Sequence, residues 1–232
     1  MGTRSKLWLL SAGLLAVAAG LVGAVAASYW QPCFASGPEF SQACLAAMDD
    51  SVGFPLPVDT WTTVGMLGLI ATVIVTAAWL VLLPTMPLSW LGRVVVALPA
   101  VAVVAVVVGA VGSTLDPAGE WLPGWLYLAV DLALLPAVFV LANGGVEGLL
   151  LVRYVLVALA STSVGLVHQM ADYIVSLSLS GATWDTPPGS GLFTAVALLA
   201  TAVATVLLWR VQGSPSRRPT ADATAPAITT TM

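Results

Sequence analysis

The chain has 232 residues, of which 59% are hydrophobic and only 8% charged, with a formal net charge of -4. Soluble domains carry about 25% charged residues. So few charges cannot cover a globular surface, which excludes a water-soluble fold for most of the chain. The cations are too few and too scattered for a nucleic-acid partner, and we expect none.

Six long apolar runs follow one another. In chain order they are Leu7–Trp30, Trp61–Leu83, Trp90–Gly112, Trp125–Ala142, Leu150–Leu177 and Gly191–Trp209. Each has about 18 or more mostly apolar residues, enough for a helical span. They lack strand alternation, and in lipid a continuous run satisfies its backbone as a helix. Trp8, Trp30, Trp61, Trp79, Trp90, Trp121, Trp125 and Trp209 lie at or near the run ends, where amphipathic rings favour the interface, and Trp184 falls in a loop.

If each run crosses once, Arg4, Lys6, Arg93, Arg153, Arg210, Arg217 and Arg218 all fall on one side. Cations stay cytoplasmic because they translocate poorly and meet anionic inner lipids. The expectation is an all-α integral membrane protein: a bundle of six transmembrane helices with cytoplasmic termini, multi-pass in a bacterial cell membrane. Its first partner is the lipid bilayer. The Arg4–Lys6 start and Ala24-Val25-Ala26 also fit a cleavable signal peptide. The apolar run is longer than the usual 7–15 residues or so, which favours an uncleaved anchor. Residues 1–212 form the membrane domain, with an outer loop over 31–60. The segment 213–232 is rich in Pro, Ser, Thr and Ala and is expected to be a disordered cytoplasmic tail.

The outer loop holds both cysteines, Cys33 and Cys44, and the acids Glu39, Asp49, Asp50 and Asp59. An oxidising compartment permits a disulfide between them. A structural staple and a redox-active pair are both open readings. No histidine or further cysteine lies nearby in sequence, so no metal is expected. The stretch Cys33…Phe40-Ser41-Gln42-Ala43-Cys44…Met48…Ser51-Val52-Gly53-Phe54-Pro55 resembles the first outer loop of the vitamin K epoxide reductase family. That resemblance implies a helical bundle that binds a quinone at its outer end and exchanges electrons with thiols. The family also needs Cys-x-x-Cys at the outer start of its fourth helix, where this chain has Leu122-Pro123-Gly124-Trp125.

Ionisable residues at membrane depth invite functional hypotheses. In the fifth run Tyr154, Ser161, Gly165, His168, Asp172 and Ser176 fall along one stripe of a continuous helix. At about 1.5 Å per residue from Arg153, His168 lies roughly 22 Å out and Asp172 roughly 28 Å. Asp131, roughly 9 Å into the fourth run from its outer end, matches their depth. His168 and Asp172, at i and i+4, are placed for a direct pair. The cluster Asp131, His168 and Asp172 is read as a packing clamp, a solute or proton pathway, or a catalytic or metal set. Gly109–Asp116 also resembles a motif of lipoprotein signal peptidases, which use two aspartates. It has Ser113 for the motif's Asn and Pro117 for its Arg.

Small-residue stripes suggest close helix packing: Ala12, Ala16, Gly20, Gly23 and Ala27; Gly65, Gly68, Thr72 and Thr76; Ala102, Ala105, Gly109 and Gly112. Pro99 and Pro136 are candidate kink sites. Three function classes follow. The preferred one is a non-enzymatic subunit or assembly factor that contacts another membrane protein through a disulfide-stapled outer loop. The alternatives are a thiol–quinone oxidoreductase-like protein without its central thiols, and a small proton-coupled transporter using an outward-facing Asp/His cluster.

Overall fold

The computed structural model describes residues 3–34, 40–49, 62–119, 121–146, 148–180 and 186–213. Among them the chain is helical with no strand. The elements are α1 (Thr3–Tyr29), α2 (Gln31–Phe34), α3 (Gln42–Asp49), α4 (Thr63–Leu80), α5 (Trp90–Leu115), α6 (Trp125–Asn143), α7 (Gly148–Ser161), α8 (Leu166–Ser180) and α9 (Leu192–Gly213), with a 3₁₀ turn at Leu83–Thr85. Five helices are long and apolar enough to cross a membrane, or six if α7 and α8 count as one broken span. Of the outer loop expected over 31–60, residues 35–39 and 50–60 lie outside the described residues, with Glu39, Asp50 and Asp59. The same holds for Trp61, Trp184 and 214–232 of the tail.

α1 packs along α9 and α4, α5 and α6 form a hairpin, and α7 packs on α9, α4 and α6. The buried face of α1 is Trp8, Ser11, Ala12, Leu15, Ala18, Ala19, Val22, Val25 and Ala26. This differs from the small-residue stripe read from sequence, of which Ala16, Gly20 and Ala27 are exposed. The buried face instead mixes Trp8, Leu15, Val22 and Val25 with the small residues Ser11, Ala12, Ala18, Ala19 and Ala26. On α4 the expected stripe is the packed face: Gly65, Gly68, Thr72 and Thr76 are all buried. Both threonines return their hydroxyls to the carbonyl four residues earlier, Thr72 to Gly68 and Thr76 to Thr72, each at 2.9 Å. Neither hydroxyl is then left to an apolar interior.

Trp8, Trp30 and Trp79 are core residues rather than interfacial rings. Trp79 is fully buried and donates its indole N–H to the Val96 carbonyl at 3.0 Å. Trp8 packs against Tyr154 with ring centroids 4.8 Å apart, and the Arg153 guanidinium lies 3.8 Å from the Trp8 centroid. The Tyr154 hydroxyl meets the Thr85 hydroxyl at 2.7 Å. Arg153, expected to mark a helix end, is itself buried and covers an aromatic face, a geometry that stabilises a desolvated cation.

The fifth run is the main correction to the sequence reading. Leu150–Leu177 is not one straight helix: α7 and α8 meet at a bend of 80°. Ser161 and Thr162 donate their hydroxyls to the carbonyls of Ala158 and Leu159, at 2.7 and 2.9 Å. These side-chain bonds compete with continuation of the backbone ladder. The chain then tightens through i→i+3 bonds, Ser163 N–H to Ala160 and Gly165 N–H to Thr162. Depths extrapolated from Arg153 along a single axis therefore do not hold for His168 and Asp172.

Candidate functional site

The break leaves the backbone N–H groups at the start of α8 without helical partners, as at any helix N-terminus. Asp131 of α6 supplies the acceptor: its Oδ2 takes the Val167 N–H at 2.9 Å. Gly165 makes room for this approach. A Cβ on Gly165 would stand 2.9 Å from the Asp131 carboxylate carbon and 3.0 Å from the Thr162 carbonyl oxygen. A carboxylate at a helix N-terminus also meets the positive end of the peptide dipoles.

Asp172 plays the same part for α9. Its Oδ2 accepts the Gly191 N–H at 2.6 Å, and its Oδ1 accepts the Thr194 N–H at 3.2 Å. Gly191 holds a φ of 92°, in the left-handed region that favours glycine, which turns the chain into α9 with its N–H aimed at the acid. The Thr194 hydroxyl lies 3.4 Å from the same oxygen and 3.1 Å from His168 Nε2. With the hydroxyl proton directed at Asp172, Thr194 Oγ accepts from a protonated Nε2. His168 and Asp172 thus meet through Thr194 rather than directly, and Phe193 packs beside the imidazole with ring centroids 5.7 Å apart.

The structure places Asp131 at the start of α8, and Asp172 with His168 at the start of α9. No group of three or more His, Cys, Asp or Glu that could hold a metal occurs among the described residues. Sequence reasoning missed Thr194 and the turn at Gly191, and placed Gly165 only as a member of a polar stripe. The local signals were the Ser161-Thr162-Ser163 run before Gly165, and the Gly189-Ser190-Gly191 punctuation before an apolar run.

Cys33 and Cys44 form a disulfide with Cα atoms 4.8 Å apart. Both are buried in a small apolar cluster with Val25, Ala26, Trp30 and Met48. This unit is tied to the α9 entrance. The Thr186 N–H bonds the Met48 carbonyl at 3.0 Å, and the Trp30 indole N–H bonds the Ser190 carbonyl at 2.9 Å. The Tyr29 hydroxyl donates to the Ala47 carbonyl at 3.0 Å. The disulfide, the end of α1 and the Asp172 cap therefore form one connected assembly. Beside it opens a mostly apolar recess of about 490 Å³, lined among others by Phe34, Ser176, Leu179, Gly189, Phe193 and Val196. The residues resembling the signal-peptidase motif are helical through Leu115, and the Asp116 carboxylate accepts the Trp121 indole N–H at 3.3 Å.

Together these features define an all-helical, membrane-type bundle with one broken helix and a disulfide-braced end. No family model, curated protein or solved structure matches the chain.

Proposed function

We propose that the chain is a multi-pass cell-membrane protein acting as a non-enzymatic subunit or assembly factor, with its disulfide-braced end as the contact surface. The cations would lie on the cytoplasmic side and the disulfide outside. The observation that carries the proposal is the recess at the braced end. Phe34 is 60% and Leu179 83% exposed at its rim, on a framework held by the disulfide and the Asp172 cap. Apolar side chains held rigidly around a concave, mostly apolar surface suit a partner's anchoring side chains. The candidate catalytic groups support the same reading, since both carboxylates are engaged by helix N-termini and the thiols by each other.

The test is co-purification of the full chain in mild detergent. A stoichiometric membrane partner should accompany the wild type and be lost with Leu179→Glu. If the wild type purifies alone, or the variant keeps the partner, the proposal fails.

The broken α7–α8 span favours a second reading, a small proton-coupled transporter. Discontinuous helices whose termini meet polar side chains are a recurrent way to build substrate sites in transporters. Proton-driven uptake into vesicles that His168→Ala abolishes would establish that reading over the first.

A further inference from the structure

A second groove runs between α1 and α9, away from the braced end. It encloses about 410 Å³ and is lined by apolar side chains except for Arg210. Its α1 wall includes Leu9 and Gly13, and Lys6 precedes them on the same helical face at i−3 and i−7. Its α9 wall runs from Leu199 past Val203 to Arg210. The two walls are pinned at the cationic end, where the Trp209 indole N–H donates to Ser5 Oγ at 2.9 Å. Arg210, next to Trp209, lines the groove, and Lys6, next to Ser5, precedes Leu9 and Gly13 on their face, so both cations belong to the end that this bond closes. Lys6 and Arg210 are both exposed.

The dimensions fit one leaflet. From Arg210 to Leu199 the wall is about 16 Å long at about 1.5 Å per residue. Half of a hydrocarbon core is about 15 Å. The groove floor is open at Gly13, where an added Cβ would meet nothing within 4 Å. From the positive mouth, the apolar channel one leaflet long and the open floor, we infer that the α1–α9 groove binds an anionic phospholipid. One acyl chain lies along α1 and α9, and the headgroup phosphate sits between Lys6 and Arg210. A guanidinium suits this role because its fork matches phosphate oxygens.

The test uses the full chain in nanodiscs of phosphatidylcholine doped with phosphatidylglycerol. Lipid retained per chain on gentle release is counted by native mass spectrometry. The wild type should retain phosphatidylglycerol over phosphatidylcholine. Lys6→Gln and Arg210→Gln should each lower that preference about fivefold, the effect of one cation near an anionic surface. Gly13→Phe should displace both lipids by filling the groove, with the same melting temperature as the wild type. Equal retention by wild type and Arg210→Gln overturns the inference, and that exposed substitution stays informative if Gly13→Phe does not fold. Loss of the preference on adding inorganic phosphate would assign the mouth to free phosphate. A dimer abolished by Gly13→Phe would assign the groove to a second copy. Either result overturns the lipid assignment.

Discussion

The Asp131 carboxylate accepts the Val167 backbone N–H at 2.9 Å, so a side chain on α6 caps a helix that begins after a sharp bend in another part of the chain. This contact gives the Asp131 carboxylate a structural role at the bend. Asp131→Ala should destabilise the protein by about 1 kcal/mol, the usual cost of losing an N-cap acceptor. Asp131→Asn keeps an acceptor oxygen and should recover most of it. Thermal unfolding of the purified variants measures both. Equal stability of wild type and Asp131→Ala would show that the cap contributes nothing.

Gly165 is the companion of that acid. Gly165→Ala pushes a methyl to 2.9 Å from the Asp131 carboxylate carbon, which forces the cap to shift. Overpacking of this kind costs about 1–3 kcal/mol. Gly20→Ala is the control, because nothing lies within 4 Å of its added Cβ. Only the first should lower the melting temperature.

Asp172 should be the more sensitive acid. It accepts both the Gly191 and Thr194 N–H groups, in a segment that also receives the Trp30 indole bond. Asp172→Ala should cost about 2–3 kcal/mol, since donors facing a buried carboxylate are left to apolar surroundings. Hydrogen exchange should show the amides of 191–194 losing protection in the variant. Unchanged protection there would mean that other groups hold the α9 entrance.

The disulfide should behave as a brace. Cys33 and Cys44 are buried, and the bridge closes a short loop. The double variant Cys33→Ser, Cys44→Ser should lose about 2–3 kcal/mol. Thiol trapping in intact cells should find both cysteines oxidised whether the quinone pool is oxidised or reduced. Cysteine oxidation that tracks the pool would instead support thiol–quinone exchange.

Hydropathy made the spans legible because lipid demands long apolar runs whatever lies inside them. The same averaging hid the α7–α8 bend. Across Leu150–Leu177 the mean stays apolar, while the break is made locally by Ser161, Thr162 and Gly165. Ser161 and Gly165 were visible in a polar stripe, Thr162 was not, and only the hydroxyl bonds of Ser161 and Thr162 to Ala158 and Leu159 show that the helix ends there. The cysteine pairing was accessible because two cysteines shared one loop. The His168–Asp172 relation was accessible only in part. Their spacing placed them on one face, but their common partner Thr194 lies on another helix, and contact between helices is not written in local periodicity. The small-residue stripe on α1 was misassigned for a similar reason. Spacing identifies a face, but α1 has small residues on more than one face, and the buried one holds Ala12, Ala18, Ala19 and Ala26 among Leu15, Val22 and Val25.

The most direct test of the proposed contact surface is photocrosslinking in intact cells from two positions on α8. A photoreactive phenylalanine analogue replacing Leu179, at the recess rim, should give a discrete protein adduct. The same analogue replacing Met170, which is exposed away from the recess, should give none. Lipid adducts alone from position 179, or the same protein adduct from both positions, would contradict a docking role for the braced end.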